Sequence, residues 1–263
     1  HYAAFGSPES AFYETRKVFG GFALGLPHTA EYFGQTFFSC GPMWYLLSLM
    51  IGWILLDVIM NIFPERYIPW AVLGTMTLGW GITLAWNAPF CIAQGMVVVP
   101  YLYLGFLAKK KKLFEQPFSR RLKAGLWAAF VAVGLLVVLT QSTDCVSLGE
   151  WTLGPVSILL DGAVGLGLLA FFLRVQRRFD NMFTRGIQSI GRQSLYIFCV
   201  HTIELTAIPW YLMADKFADM QTLGLIIQFT VSLGSVLLVC ALLSRYRDWK
   251  IKRVAEQRKK AQE

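Results

Sequence analysis

Residues 42–62 read PMWYLLSLMIGWILLDVIMNI, an apolar stretch that contains a single charged side chain, that of Asp57. A helix rises 1.5 Å per residue, so about 20 residues cover roughly 30 Å, the thickness of the hydrocarbon core of a bilayer. The stretch is therefore long enough and apolar enough to predict a transmembrane helix.

Apolar runs of similar length recur along most of the chain. Of the 263 residues, 56% are hydrophobic and 15% are charged, whereas soluble domains carry about 25% charged residues. We predict spans at 42–62, 69–86, 91–107, 124–140, 154–173, 189–211 and 222–243. The sequence thus predicts an all-α, polytopic transmembrane bundle of about seven helices and argues against a soluble fold.

The basic residues lie in blocks between the apolar runs, and the formal net charge is +8. Lys and Arg are frequent at 109–123, at 174–185 and at 245–260, while the connections at 87–90 and 141–153 contain neither. Cytoplasmic loops retain positive charge, so this pattern predicts an exterior N terminus and a cytoplasmic C terminus. It does not indicate a nucleic-acid partner.

Three regions follow from this topology. Residues 1–41 form an exterior or interfacial segment, residues 42–243 the transmembrane helical domain, and residues 244–263 a basic cytoplasmic tail. Within the first region, 18–38 is partly apolar, and we predict an interfacial or partly inserted helix, with an eighth span as the alternative. The chain begins with His1 rather than Met, so the sequence could also be that of a fragment.

Ionisable side chains inside predicted spans are the first candidates for a functional site, because each costs free energy in lipid. Asp161, His201 and Glu204 are predicted to lie at similar depths. His201 and Glu204 are three residues apart and share a helix face, and Ser194 continues that face toward the cytoplasm. A histidine beside carboxylates suits a general base. A hydrogen-bond network that only joins helices is the alternative.

Arg192 lies at the cytoplasmic start of the sixth predicted span, between Gly191 and Ser194. With the nearby basic blocks it could hold a phosphorylated ligand from the cytoplasm, or it could contact anionic lipid head groups. Cys40, Cys91 and Cys145 all lie at the predicted outer face, so two of them could form a disulfide. The spacing of the cysteines does not show which two would pair. No motif for a metal site or a Gly-rich phosphate loop is present.

Two stretches resemble acyltransferase family 3, membrane proteins that typically O-acylate sugars and cell-envelope polymers. Gly41-Pro42-Met43-Trp44-Tyr45-Leu46-Leu47 resembles the family's P-L-W-F-L entry to a mid-chain span. The stretch Ile190-Gly191-Arg192-Gln193-Ser194-Leu195-Tyr196-Ile197-Phe198-Cys199-Val200-His201 resembles its late-span pattern G-R/K-x-S-L-x-I-Y-x-x-H. The order and the separation of the two motifs also fit.

The resemblance covers the last seven of the ten spans that the family generally has, which implies that three N-terminal spans are missing here. The family's proposed catalytic His lies in its first span, ten residues after a basic residue. Lys17 and His28 have this spacing but directly precede the P-L-W-F-L-like element, so we interpret the match as accidental. The family's main His is then absent from its expected place.

The resemblance implies transfer of an acyl group, acetyl in the first instance, from acyl-CoA to a hydroxyl of a sugar or envelope glycan at a bacterial inner membrane, with no bound cofactor. Arg192 would anchor the donor phosphates, and Ser194 and Tyr196 would line the path. His201, Glu204 and Asp161 would organise the acceptor or assist the base. Trp44 would stack on a sugar, or belong to the ordinary aromatic belt.

A second class of function remains open from the sequence. Asp161, His201 and Glu204 would also suit a proton-linked transporter or flippase. A retinal protein is disfavoured because the seventh predicted span lacks a Lys.

Overall fold

A computed structural model of the chain describes residues 7–115, 119–140, 144–179, 181–207 and 221–260. The chain forms two compact units. The N-terminal unit comprises Tyr13–Asp180, and the C-terminal unit comprises Asn181–Glu263 together with His1–Phe12.

Helices dominate both units. Through residue 110 the elements are α1 (Pro8–Ala23), β1 (Ala30–Tyr32), β2 (Gln35–Phe37), α2 (Met43–Ile62), α3 (Ile68–Ala85), a 3-10 turn (Pro89–Cys91) and α4 (Ile92–Lys110). They are followed by α5 (Arg120–Thr140), α6 (Pro155–Arg178), α7 (Met182–Arg192), α8 (Ser194–Ala207) and α9 (Gln221–Lys260).

Six helices in the described part of the chain are long and apolar enough to cross a membrane: Met43–Ile62, Ile68–Ala85, Pro89–Lys110, Arg120–Leu139, Pro155–Arg178 and Thr222–Arg247. They confirm the predicted all-α, polytopic membrane fold. The orientation of the termini stays a prediction.

The remaining predicted span, 189–211, begins differently in the structure. Residues 189–192 belong to the end of α7, and a new helix, α8, starts at Ser194. Gln193 separates the two with φ −104° and ψ 6°, which is not a regular helical pair of angles. Residues 208–211 lie outside the described residues. The helix that carries His201, α8, therefore starts five residues after the predicted start of this span.

The chain ends contain more regular structure than apolarity alone indicates. In the first region, α1 is a helix of 16 residues, and β1 and β2 form an antiparallel hairpin that pairs Tyr32 with Gln35. Both loop residues, Phe33 and Gly34, have positive φ, as a two-residue hairpin turn requires. At the other end, α9 continues to Lys260, because Arg, Lys, Glu, Gln and Ala all favour helix.

The core of the N-terminal unit lies where α4 packs against both α2 and α3. Leu56, Val72 and Val99, one from each helix, belong to one buried apolar cluster. Glycines permit the close approach of these helices. A Cβ built on Gly95 would lie 2.5 Å from Ile51 Cγ2, and one on Gly79 would lie 2.6 Å from Met96 Cβ. Larger side chains at these two positions would separate the helices.

Candidate functional site

The C-terminal unit brings two of the predicted site residues into direct contact. On α8, His201 Nδ1 lies 2.9 Å from Glu204 Oε2. The Glu204 side chain is 5% exposed and that of His201 is 45% exposed. A buried carboxylate therefore holds an imidazole that still reaches the surface of the unit.

Ser232 completes this group from the neighbouring helix, α9. Its Oγ donates a hydrogen bond of 3.0 Å to Glu204 Oε2, the same oxygen that contacts His201. A buried carboxylate needs such partners, because removing an unpaired charge from water costs several kcal/mol. We call His201, Glu204 and Ser232 the α8–α9 site.

This geometry fixes the chemistry open to His201. When Nδ1 carries the proton and donates it to Glu204, the lone pair resides on Nε2. A carboxylate that orients an imidazole in this way also stabilises the imidazolium that forms when Nε2 accepts a proton. The α8–α9 site can therefore act as a general base toward a hydroxyl group.

The predicted donor-binding residues lie at the junction of α7 and α8. Asn181 and Thr184 form a reciprocal capping box that starts α7, and Arg192 ends it as an exposed side chain. Ser194 is the first residue of α8 and is exposed. The first N–H groups of a helix carry partial positive charge and favour anions. Arg192, at the end of α7, and the start of α8 thus place positive charge at the N-terminal end of the helix that carries His201.

The other predicted residues occupy the N-terminal unit. Asp161 lies on α6 beside Gly162, where a Cβ would lie 3.0 Å from the Tyr101 ring of α4. Trp44 lies in the first turn of α2 and meets Tyr45 edge to face, with ring centroids 6.0 Å apart. His201 and Glu204 belong to the C-terminal unit, so the predicted proximity of Asp161 to His201 stays a prediction, as does a sugar-binding role for Trp44.

A polar network around His28 was missed by the sequence analysis. His28 Nε2 lies 2.7 Å from Asn87 Oδ1, and its Nδ1 lies 3.1 Å from the Ser147 carbonyl oxygen. Gln94 Nε2 donates to the same carbonyl at 3.4 Å. The network joins three connections that are distant in sequence, and no local pattern predicts such a contact.

Lys17 and His28, which share the ten-residue spacing, fall on different local structures. Lys17 lies within α1 and forms an ion pair of 2.8 Å with Glu14. His28 lies beyond the end of α1 at Ala23. In the family pattern the two residues would lie on one membrane helix. Here α1 ends between them, so Lys17 and His28 do not share a helix.

Cys40 and Cys91 meet beside the turn at 24–26. Cys91 Sγ donates to the Gly25 carbonyl at 2.9 Å, and the Cys40 N–H donates to the Leu26 carbonyl at 2.9 Å. The side chain of Cys91 lowers the pKa of the Cys40 thiol more than burial raises it. Cys145 contacts Ser147 Oγ instead, at 3.2 Å. All three are free thiols in this structure.

Comparison with known proteins decides the family. The family model of the acyltransferase domain, acyltransferase family 3, matches residues 8–245. The chain belongs to acyltransferase family 3. Searches of curated proteins and of solved structures found no match. Membership of the family and the apolar helices together make this chain a multi-pass membrane acyltransferase.

The two family-like motifs lie at the starts of helices. The first, 41–47, leads into α2, which begins at Met43. The second, 190–201, crosses the α7–α8 junction and ends at His201. The more specific of the two motifs therefore runs from the exposed Arg192 to the imidazole that Glu204 holds.

Within the described residues, no group of three or more His, Cys, Asp or Glu side chains is arranged to hold a metal ion.

Proposed function

We propose that this acyltransferase transfers an acyl group, acetyl in the first instance, from acyl-CoA to a hydroxyl of a sugar or envelope glycan. We further propose that it does so in a bacterial plasma membrane. The observation that carries the proposal is the α8–α9 site. A half-exposed imidazole is held by a buried carboxylate, which is in turn held by a serine of another helix.

In the proposed reaction, His201 Nε2 accepts the proton of the acceptor hydroxyl. At the same time, the oxygen of that hydroxyl attacks the thioester carbonyl carbon. A C–O bond forms and the C–S bond of acyl-CoA breaks. The leaving thiolate takes the proton from the imidazolium, so the products are an ester and the CoA thiol. Glu204 stabilises the transient imidazolium and keeps Nδ1 protonated.

The remaining predicted residues receive proposed roles. Arg192 and the N-terminal end of α8 bind the donor phosphates, as a guanidinium and helix N–H groups do elsewhere. Ser194 and Tyr196, both exposed on α8, line the path of the donor. Trp44 offers a ring on which a sugar can stack, and Asp161 assists in organising the acceptor.

The test uses membranes that contain the full chain, radiolabelled acetyl-CoA and a panel of glycans as acceptors. We expect label to move from CoA to a glycan. His201→Ala should lower the rate by about 10² to 10⁴-fold, the usual contribution of a general base. Glu204→Gln should lower it by up to about 10⁴-fold, since the amide keeps the shape but neither stabilises the imidazolium nor holds the correct tautomer.

Two matched variants make the result specific. Thr230→Val alters an exposed threonine of α9 that bonds to the Ile226 carbonyl at 2.7 Å, and its activity should equal that of the wild type. If His28→Ala abolishes transfer while His201→Ala retains it, the base is not His201 and the proposal is wrong. Label that stays on the donor while a substrate crosses the membrane would instead support a proton-linked transporter.

A further inference from the structure

The short helix α7 separates its residue types onto two sides. Its sequence, MFTRGIQSIGR, contains an apolar set and a polar set, and within each set the spacings are three and four residues. The apolar set is Phe183, Ile187 and Ile190, and the polar set is Arg185, Gln188 and Arg192. Because a helix turns once every 3.6 residues, each set occupies its own face. α7 is therefore strongly amphipathic, and its polar face carries two arginines.

The apolar face of α7 is exposed in the structure. Ile187 is 53% exposed and Ile190 is 58% exposed. At 11 residues the helix is about 16 Å long, too short to cross roughly 30 Å of hydrocarbon. Leaving such a face in water costs free energy in proportion to its area. The face therefore calls for an apolar partner that lies beside the helix.

The place of α7 in the chain indicates which partner this is. The preceding helix, α6, is long and apolar enough to cross a membrane and ends at Arg178. α7 begins at Met182, and four residue steps cover at most about 14 Å. The chain thus enters α7 close to the surface of the bilayer, and it continues into α8, which is mainly apolar. Lipid is the apolar phase nearest to the exposed face.

A turn at Gln193 separates α7 from α8. The Gln193 N–H donates to the Ile190 carbonyl at 2.9 Å, which closes α7 with a 3-10 type turn. The Gln193 carbonyl accepts a hydrogen bond of 3.0 Å from the Ile197 N–H, which opens α8. A continuous helix could not lie along the membrane surface and also enter the bilayer. Two helices that are joined at Gln193 can do both.

We propose that α7 is an interfacial helix that binds the lipid surface of the membrane. Ile187 and Ile190 lie among the upper parts of the acyl chains, and the face that includes Gln188 and Arg192 points to the water. A helix with an apolar face, a basic polar face and low overall hydrophobicity binds at this boundary and lies in its plane. The partner is the lipid surface, and the proposal does not depend on the proposed reaction.

Photo-crosslinking in the full chain tests the proposal. Benzoylphenylalanine replaces Ile187, Gln188 or Ile190 singly, and the protein is reconstituted into vesicles of phosphatidylethanolamine and phosphatidylglycerol and irradiated. Mass spectrometry of the intact protein gives the fraction that carries a lipid adduct. We expect positions 187 and 190 to give about tenfold more lipid adduct than position 188 on the polar face. Equal yields at the three positions would overturn the proposal.

Other occupants of the apolar face would give other products. A second copy of the chain would give a crosslinked dimer. Another segment of the same chain would give an internal crosslink, which digestion into peptides identifies. Either of these as the main product at positions 187 and 190 would overturn the proposal.

A matched pair of substitutions supplies a second readout. With the probe at position 187, Ile190→Asn removes an apolar side chain from the same face and should lower the yield of lipid adduct several-fold. Gln188→Asn introduces the same residue on the polar face and should leave the yield unchanged. Equal losses in the two variants would overturn the proposal. If either variant fails to fold, the three probe positions still decide, and no acyl-CoA is present, so the result does not depend on the acyl-transfer assay.

Discussion

The α2–α3–α4 bundle and the α8–α9 pair are both helical, but different contacts hold them together. Of the described residues in the apolar, membrane-spanning part of α4, 44% are buried, whereas 0% are buried in the corresponding part of α9. The bundle packs through glycines and apolar side chains, while α8 and α9 are joined by the hydrogen bond from Ser232 to Glu204. Where little area is buried, polar contacts carry more of the helix association.

Glycine substitutions should reveal the largest difference in stability between the two regions. Gly79→Leu places a Cβ 2.6 Å from Met96 Cβ and 2.9 Å from the Ala93 carbonyl oxygen. Because the backbone cannot move aside cheaply, we expect a loss of about 3 kcal/mol or more in the free energy of unfolding. Unfolding by dodecyl sulfate in mixed micelles, followed by circular dichroism, measures it.

The matched substitution is Gly234→Leu on α9, where a Cβ meets nothing within 4 Å. We expect its free energy of unfolding to stay within about 0.5 kcal/mol of the wild type. Equal losses in the two variants would contradict the difference drawn between the regions.

A covalent link should stabilise the bundle further. Mild oxidation of the purified protein with a diamide reagent should join Cys40 to Cys91, since the two residues bond to the carbonyls of the consecutive residues Gly25 and Leu26. Each thiol loses one proton, and the azo group of the reagent takes up the two electrons and the two protons. The bond closes a loop that contains α2 and α3, and we expect a gain of about 2 to 4 kcal/mol.

Alkylation under denaturing conditions before and after reduction identifies the linked pair, because burial then no longer shields a free thiol. Cys145, which contacts Ser147, should remain alkylable without reduction and serves as the internal control. A product in which Cys145 is linked to either residue would show that the pairing of Cys40 with Cys91 is wrong.

In the α8–α9 pair, loss of one hydroxyl should have a smaller but measurable effect. Ser232→Ala removes a donor from the buried Glu204 and should cost about 1 kcal/mol in the free energy of unfolding. Thr230→Val, which removes an exposed hydroxyl from the same helix, should cost less than half as much. Equal costs would mean that the bond to Glu204 contributes nothing specific.

The sequence predicted the apolar spans well, because a membrane helix depends on local composition. It also predicted that His201 and Glu204 share a face, because residues three apart on a helix are neighbours. The break at Gln193 was missed, since the apolar periodicity continues across it. The extent of helix in α1 and in the C-terminal tail was likewise underestimated, because the prediction relied on apolar residues.

Contacts between distant segments were beyond the reach of the sequence. Ser232 lies 28 residues after Glu204, and its part in the site follows from the packing of α9 on α8. The network of His28 with Asn87 and Ser147 likewise needs three connections to meet. Helical periodicity reports which residues share a face, but not which helix that face meets.

The smallest effect is expected at the edge of the bundle, where Glu65, between α2 and α3, forms an ion pair with Lys110 at the end of α4. The hydrogen bond from Lys110 lowers the pKa of the exposed Glu65 carboxylate below its usual 4.5. A carboxylate with a lowered pKa binds fewer protons in the folded state than in the unfolded state at acidic pH. Its stabilisation is therefore present above about pH 4.5 and is lost as the pH falls through the lowered pKa.

We expect Glu65→Gln to lower the Tm slightly at pH 7 in low salt. The difference should vanish in acid, where Glu65 is protonated, and at high salt, where the pair is screened. Thermal unfolding of Glu65→Gln in a Lys110→Gln background is the control, because without the ammonium the substitution should have no pH-dependent effect. A pH-dependent difference that persists in that background would assign the effect to a group other than Lys110.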